Sequence, residues 1–333
     1  MVHICYTGDE GYTMQIATSL ISVLENNPKT EITFYILGDT YSTKTKNKFE
    51  QISESYGRDI HIIDITDLMR KLEDTVFYQE PDIGKNGLIT FMYARLFVDS
   101  ALPEKVDKVL YMDADTIILG SITELYETEL DPACTVGAIR DIWPVNHNAK
   151  IGFLKSDLYF MSGFLLIDLK KWREDKVEEM ILSHMHTTKN KYFMHDEDII
   201  NICLKGKIDT LPLKWGMIYI IRTYKPDQIL WFSGKTEKTF YTKEEIVDSQ
   251  ANVALIHYAG DYYGRPWVYP MACSDSKTWY KYYEMTPWVK EKLNKKRNLK
   301  SDIKYLAKKI LEKPIKNIWL QRTHKRFLKL EED

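Results

Sequence analysis

The chain has 333 residues, of which 44% are hydrophobic and 28% charged, so it can bury a large core in one globular domain. Its net charge is −2, but residues 290–329 contain 15 Lys and Arg and three acidic residues and so carry +12, which leaves −14 on the remainder. Because this acidic remainder would repel a phosphate backbone, we expect no nucleic-acid partner. The four cysteines form no CxxC pair, and neither a secretory leader nor an apolar run of membrane-spanning length is seen, so a cytoplasmic protein without a disulfide framework is expected.

Strand-like and helix-like segments alternate over the first two-thirds of the chain. The pattern predicts strands at 2–7, 31–37, 60–64, 108–112, 135–139 and 164–168. It predicts helices at 14–24, 43–56 and 90–97, and another from residue 171 onward. This alternation is typical of an α/β domain with a mostly parallel sheet.

Two aspartates follow the predicted strand at 108–112. In an extended segment residues i and i+2 point the same way, so Asp113 and Asp115 are expected to face one divalent cation, Mn²⁺ or Mg²⁺. Ligands in open α/β sheets bind beyond the carboxyl ends of the strands, which is where this pair falls. The spacing alone is a weak signal, because 196–198 (DED) has it as well.

A histidine and a glycine end a strand-like segment further along the chain. His257 could supply a third ligand for the cation, Gly260 could let backbone approach a diphosphate, and the Arg265 fork suits its oxygens. Taken alone, His257 is more often a hydrogen-bonded core histidine.

The C-terminal region, 271–333, is basic, rich in aromatic residues and predicted to be helical. Leu299, Ile303, Leu306 and Ile310 form an apolar stripe flanked by lysines, the pattern of a helix that lies in the headgroup layer of a membrane. We expect residues 290–329 to bind an anionic membrane surface. The alternative is a helix that packs against the domain and exposes a solvated basic face.

Six segments occur in the order that is found in glycosyltransferase family 8, and the chain resembles this family over residues 1 to 270. They are TGDEGY at 7–12, TFMYAR at 90–95, DAD at 113–115, YFMSGFLLIDLKKW at 159–172, HDEDIIN at 195–201 and the segment around His257. The resemblance implies a GT-A fold, a Rossmann-like, mixed and mostly parallel sheet flanked by helices, with one catalytic domain at 1–270 and a helical tail at 271–333.

The resemblance also implies a role for particular residues. The uridine of a UDP-sugar would be held by Thr7, by Asp9 on the base edge and by Tyr12 stacked on the base. Mn²⁺ would be bound by Asp113, Asp115 and His257, and the diphosphate by Gly260 and Arg265. The rest of the donor site would comprise Arg95, Ala114, Ser162, Gly163 and Asp196, and the candidate catalytic residues are Glu197, Asp196 and Arg95. Each has a structural alternative: Tyr12 could be core, Asp9 a helix cap, and Arg95 the partner of a structural carboxylate.

Three positions depart from the family pattern. Met161 stands where members usually have asparagine, and Glu197 stands where related enzymes have glutamine beside the reacting carbon. The loop from Gly260 to Arg265 is two residues longer than in such enzymes. The first change removes a hydrogen-bonding amide near the donor sugar, and the other two alter the reaction pocket.

The resemblance therefore predicts a retaining transferase that moves a hexose, glucose or galactose, from UDP to the saccharide of a surface glycan such as lipooligosaccharide or capsule. It would act on the inner face of the plasma membrane as a peripheral protein. Two routes are open. In one, Glu197 attacks the anomeric carbon; in the other, the acceptor attacks this carbon with a UDP oxygen as base, and Glu197 stabilises the positive charge that builds on the sugar ring. The competing hypothesis is a sugar-nucleotide-binding or scaffold protein that has lost transfer through the change at Met161.

Overall fold

The computed structural model describes residues 1–72, 87–142, 146–188, 194–259, 265–268 and 276–289, together with residue 303. Its strands are β1 (Val2–Thr7), β2 (Ile32–Gly38), β3 (Asp59–Asp64), β4 (Lys108–Met112), β5 (Thr116–Ile118), β6 (Val136–Arg140), β7 (Phe160–Asp168), β8 (Ile208–Thr210) and β9 (Leu255–His257). Seven of them form a sheet in the order β3-β2-β1-β4-β7-β6-β8, and β5 pairs with β9 in a separate antiparallel ribbon. In the large sheet β7 alone runs antiparallel to its neighbours.

Helices cover both faces of the sheet. They are α1 (Thr13–Asn26), α2 (Thr43–Tyr56), α3 (Thr66–Leu72), α4 (Gly87–Ala94), α5 (Val98–Ala101), α6 (Thr123–Glu127), α7 (Asn146–Lys150), α8 (Leu169–Glu174), α9 (Val177–Thr188), α10 (His195–Cys203), α11 (Tyr219–Thr223), α12 (Pro226–Ser233), α13 (Lys243–Ala251) and α14 (Ser276–Tyr283). Short 3₁₀ turns lie at Glu10–Tyr12, Arg95–Phe97 and Leu213–Trp215. This is the mixed, mostly parallel α/β fold that the sequence predicts.

Alternate residues of the central strands enter two apolar cores. In β1, Ile4 and Tyr6 pack with the apolar face of α1, whereas Cys5 packs on the opposite side with residues such as Trp172 of α8. Both faces of β1 are therefore buried, and its apolar residues do not alternate strictly with polar ones.

The predicted elements agree with the observed ones except at a few boundaries. The strand predicted at 164–168 is β7, which begins four residues earlier and so includes Met161, Ser162 and Gly163. The following helix begins before residue 171, because the Asp168 side chain caps α8 by accepting the N–H of Lys171 at 2.9 Å. Strand β8 has only three residues and was not predicted.

The described part of the C-terminal region packs onto α1 and α2. Asn26 Nδ2 of α1 donates to the Tyr282 hydroxyl at 2.9 Å, and the ring of Trp288 lies 5.1 Å from that of Phe49. The domain boundary at 270 stays a prediction, and the tail from 290 lies outside the described residues apart from Ile303. Within the described parts of the chain, no helix has both the length and the apolar character needed to cross a bilayer.

Candidate active site

The two aspartates of the DAD motif lie in a turn between β4 and β5. The expectation that they belong to an extended segment is wrong, because residues 114–115 form a turn and Thr116 Oγ1 donates to the Asp113 carbonyl at 2.7 Å. The Asp113 N–H donates to the Gly163 carbonyl of β7 at 2.8 Å, which fixes the start of the turn against the large sheet.

His257 meets both aspartates because β9 pairs with β5. Its Nε2 lies 3.0 Å from Asp115 Oδ1 and 3.7 Å from Asp113 Oδ2, and one ligand atom from each of the three residues lies within 4.8 Å of the others. Two carboxylates and one imidazole are a ligand set suited to a hard or borderline divalent cation such as Mn²⁺. The geometry therefore fits the metal site that the sequence predicts.

Positive charge surrounds Asp115. Burial alone would raise the pKa of this carboxyl group, but the charges of His257 and Arg265 hold it well below its usual range. Burial would likewise lower the pKa of His257, but the two aspartates raise it. Arg265 Nη1 lies 2.9 Å from Asp115 Oδ2, so the arginine is in direct contact with one of the candidate metal ligands.

Gly163 leaves room for the cluster. A Cβ atom on this residue would lie 2.6 Å from Asp113 Oδ2 and 2.8 Å from His257 Cε1. Any larger residue would push the candidate ligands apart, so glycine is required by the close approach of β7 to the site.

Arg95 connects the three candidate metal ligands to α10. Its buried guanidinium lies 2.9 Å from Asp113 Oδ1 and 3.2 Å from Asp196 Oδ2, and it donates to the Ser162 carbonyl at 3.0 Å. Arg95 Nε donates its hydrogen bond to the Met92 carbonyl and not to Asp196. Asp196 Oδ2 therefore accepts no hydrogen bond from the residues that the structure describes. A buried carboxylate oxygen beside the cavity is thus available to a ligand hydroxyl.

The first turn of α10 divides its acidic residues between the cavity and the core. Asp196 and Glu197 line the cavity, whereas Asp198 points inward. Asp198 Oδ1 lies 2.6 Å from His147 Nε2 and accepts from the Tyr159 hydroxyl at 2.7 Å. Asp198 of the second DxD spacing is therefore a structural anchor, and among the residues that the structure describes this segment belongs to no group of three metal-ligating side chains.

A cavity of about 490 Å³ opens beside the three candidate metal ligands. Its charged and polar lining residues come mainly from β7, from α10 and from the turn after β4, and much of the remaining lining forms an apolar wall. Its lining comprises Met92, Arg95, Asp113, Asp115, Asp141, Ile142, Met161, Ser162, Gly163, Met194, Asp196, Glu197, Ile218, Ile220, Phe232, His257, Ala259 and Arg265. The volume is that of a typical small-ligand site.

The residues predicted to hold the uridine lie at the end of β1, beside the cluster. The Thr7 hydroxyl bonds the Tyr111 hydroxyl at 2.8 Å, and Tyr111 in turn donates to Asp113 Oδ1 at 3.1 Å. Asp9 Oδ1 accepts the Tyr12 N–H at 3.1 Å, so the alternative in which Asp9 is a cap describes this contact. Their contacts with a nucleobase stay predictions, and Gly260 lies outside the described residues.

Two residues that line or adjoin the cavity were missed from the sequence. Asp141 follows β6 directly, so its position at the carboxyl end of a strand is a signal that could have found it. Lys235 Nζ, which is buried, donates to the Asp141 carbonyl at 2.7 Å. It follows α12 in a loop, and nothing in the local sequence marks it.

The comparisons with known proteins agree with this geometry. The chain is 30% identical over 299 residues to a lipopolysaccharide 1,2-glucosyltransferase of Escherichia coli, covering 86% of this chain and 79% of the relative. It is 23% identical over 285 residues to a lipopolysaccharide 1,3-galactosyltransferase of Salmonella typhimurium, covering 81% of this chain and 75% of the relative.

The fold is similar to that of the galactosyltransferase LgtC, solved in complex with donor and acceptor sugar analogues. The TM-score is 0.67 at 23% identity, over 87% of this chain and 98% of LgtC. The model of glycosyl transferase family 8 matches residues 3–270. With a match over most of its length and a GT-A fold like that of LgtC, the chain belongs to glycosyltransferase family 8.

Proposed function

We propose that this family 8 glycosyltransferase transfers a hexose, glucose or galactose, from a UDP-sugar to a saccharide acceptor with retention of configuration. The observation that carries the proposal is the convergence of Asp113, Asp115 and His257 at a cavity whose wall also holds Arg95 and Asp196. The names of the relatives, which are glucosyl- and galactosyltransferases of lipopolysaccharide, support both the hexose donor and a surface-glycan acceptor.

The metal-binding residues and the arginines suit the diphosphate end of such a donor. Mn²⁺ or Mg²⁺ bound by Asp113, Asp115 and His257 would neutralise the charge of the departing UDP. Arg265, which pairs with Asp115 in the structure, can turn its fork to phosphate oxygens. Thr7, Asp9 and Tyr12 lie at the end of the neighbouring strand and would hold the uridine there.

The sugar would lie between Arg95, Asp196 and the apolar wall. Asp196 has an oxygen free of hydrogen bonds from the described residues and can accept one from a sugar hydroxyl. Met161 offers an apolar surface in place of an amide, so we propose a donor pocket that tolerates changes at one sugar position. A screen of UDP-glucose, UDP-galactose and their N-acetyl forms tests this, and strict selectivity for galactose would count against it.

For the transfer step we propose direct attack by the acceptor. The bond from the anomeric carbon to the UDP oxygen breaks, the bond to the acceptor oxygen forms on the same face, and the acceptor proton passes to the departing UDP oxygen. Glu197 Oε2 already accepts the Ser162 N–H at 3.0 Å, which supports a role in positioning over one as nucleophile. Closure of the cavity around the donor would keep water from the reacting carbon.

The cationic tail suggests where the enzyme works. We propose that residues 290–329, with their charge of +12, hold the protein on the anionic inner face of the plasma membrane, where a glycolipid acceptor would be presented.

The decisive test is UDP release from UDP-glucose and UDP-galactose in Mn²⁺, with and without a saccharide acceptor. The wild-type protein should release UDP and EDTA should stop it, whereas Asp113→Asn should lose at least 100-fold in rate with an unchanged melting profile. Asp67→Asn removes the same charge from a side chain that is 85% exposed in α3, and it should match wild type. A protein that binds the nucleotide but releases no UDP would favour the competing binding function, and an active, EDTA-sensitive Asp113→Asn would overturn the metal assignment.

A further inference from the structure

Two buried carboxyl groups lie on the wall of the same cavity. Glu197 lies in the first turn of α10 and Asp141 directly after β6, and their exposed fractions are 8% and 4%. Both line the cavity beside the proposed donor site. Buried acids seldom lie together unless a proton or a cation lies between them.

The hydrogen bonds of the pair leave one buried oxygen of Glu197 without a donor among the described residues. Glu197 Oε2 accepts the Ser162 N–H at 3.0 Å, and Asp141 Oδ1 accepts the N–H of Ile142 at 2.5 Å. Glu197 Oε1 is buried and finds no donor among the residues that the structure describes, and Asp141 is the side chain that acts most strongly on Glu197. Two ionised carboxylates can only accept hydrogen bonds, whereas a protonated Glu197 can donate one from this oxygen to the Asp141 carboxylate on the same cavity wall.

The neighbouring charges support a single negative charge on the pair. Lys235 Nζ is buried and donates to the Asp141 carbonyl at 2.7 Å, so it balances one carboxylate. Arg140 points away, because its Nε donates to Thr210 at 3.0 Å. An ionised Glu197 would add a buried negative charge without a matching cation, which is unfavourable in a cavity of low polarity.

The remaining groups that act on Glu197 are acidic as well. Burial is the main cause that raises its pKa well above the usual range, followed by the charge of Asp141 and, more weakly, that of Asp196. Burial lowers the pKa of Lys235 to about 8, although the two carboxyl groups oppose this shift. Tyr159, the other ionisable neighbour, stays neutral because burial and the nearby acids raise its pKa.

We propose that Glu197 works as a neutral carboxylic acid whose hydroxyl donates to Asp141, and that Asp141 and Lys235 are positioning residues that keep it so. This proposal deepens the proposed function and rests on it. A protonated Glu197 is a poor nucleophile, keeps its proton throughout transfer and makes the contacts of an amide: it donates to Asp141 and accepts from Ser162. Glutamine at this position should therefore replace it.

The first test compares pH profiles of kcat/KM for UDP release from UDP-glucose in Mn²⁺. Wild type should lose activity as the pH rises through the pKa of Glu197, because the acid form is lost. Glu197→Gln should keep plateau activity within about threefold and lack this alkaline loss. The matched control is Glu178→Gln in α9, a carboxyl group away from the cavity that accepts the Ser100 N–H at 3.1 Å, and it should keep the wild-type profile. A loss of 100-fold or more in Glu197→Gln at every pH, or a profile identical to wild type, would overturn the proposal.

The second test does not depend on activity. A group whose pKa is raised in the folded state stabilises the protein fully below its ordinary value of 4.5, and this stabilisation is lost as the pH rises through the raised value. The Tm of wild type should therefore fall relative to that of Glu197→Gln, by about 2 °C or more, as the pH rises above 4.5. A Tm difference that does not change with pH would show that Glu197 is ionised. If wild type releases no UDP from any donor, the proposed function fails, while this comparison still decides the protonation of Glu197.

Discussion

At the scale of single residues, the space at Gly163 controls the candidate metal site. Since a Cβ there would lie within 2.8 Å of atoms of both Asp113 and His257, we expect Gly163→Ala to separate the ligands without disturbing the buried strand. Mn²⁺ affinity, measured by calorimetry, should fall at least tenfold, which corresponds to about 1.4 kcal/mol. The Mn²⁺ dependence of UDP release should shift to higher concentration by the same factor.

Gly120 offers a matched control for this substitution. A Cβ on Gly120 would meet no atom within 4 Å, and its φ is not positive, so Gly120→Ala should bind Mn²⁺ as wild type does. If Gly163→Ala also binds Mn²⁺ normally, the ion does not lie between the three predicted ligands.

The three candidate metal ligands could be proposed from the sequence because each one lies at or near the end of a strand and has a chemically specific side chain. Asp113 and His257 were found in this way, although the turn that aims the aspartates was not, because turns depend on contacts such as the one from Thr116. Lys235 was not predictable. It follows α12 and contacts the cavity residue Asp141, which lies 94 positions away in the chain, and no local sequence pattern encodes such a long-range contact.

At the scale of elements, α10 places the two cavity carboxylates by binding to β7. Asn201, one turn after Glu197, accepts the Phe160 N–H at 2.8 Å and donates to the Phe160 carbonyl at 2.7 Å. It also donates to the Glu197 carbonyl of its own helix at 2.9 Å. A single amide therefore sets the position of the helix relative to the strand that carries Ser162.

We expect Asn201→Ala to lower the free energy of unfolding by about 2 kcal/mol, because the buried N–H and C=O of Phe160 lose their partner. Urea unfolding measures this loss, and kcat/KM should fall as Asp196 and Glu197 lose their alignment. Asn252→Ala is the matched control. Among the described residues the exposed Asn252 side chain hydrogen-bonds to Asp248 of α13, so this substitution should change the free energy of unfolding by no more than about 0.5 kcal/mol. Equal stability of the two variants would contradict the role assigned to Asn201.

Element boundaries near the site were the least predictable feature of the fold. The start of β7 was placed four residues late because Met161, Ser162 and Gly163 do not look like a strand. Their strand conformation comes from the sheet, in which β7 pairs with both β4 and β6. The long apolar strands and α1 were predicted correctly because burial on both faces of the sheet leaves a clear signal in the sequence.

At the scale of the whole molecule, the described segment 276–289 packs into the core of the domain. Trp279 and Trp288 are almost fully buried and lie in the same apolar core as Ile16 and Phe34. Lys48 Nζ lies 4.4 Å from the centre of the Trp288 ring. A truncation after residue 289 should keep all these contacts, whereas one after residue 275 would remove the tryptophans and expose the side of α1 that they cover.

This difference allows the tail to be tested apart from the fold. We expect a chain of residues 1–289 to keep the wild-type Tm and to release UDP at the wild-type rate, because the cavity and its lining are intact. Its binding to vesicles of phosphatidylcholine and phosphatidylglycerol should fall at least tenfold in a sedimentation assay, since each basic residue near an anionic surface contributes about 1 kcal/mol. Vesicles of phosphatidylcholine alone are the control, and neither protein should bind them strongly. Equal binding of both proteins to the anionic vesicles would mean that the tail packs on the domain with its basic face in water, and contact with the membrane would then have to come from the acidic body, whose charge opposes it.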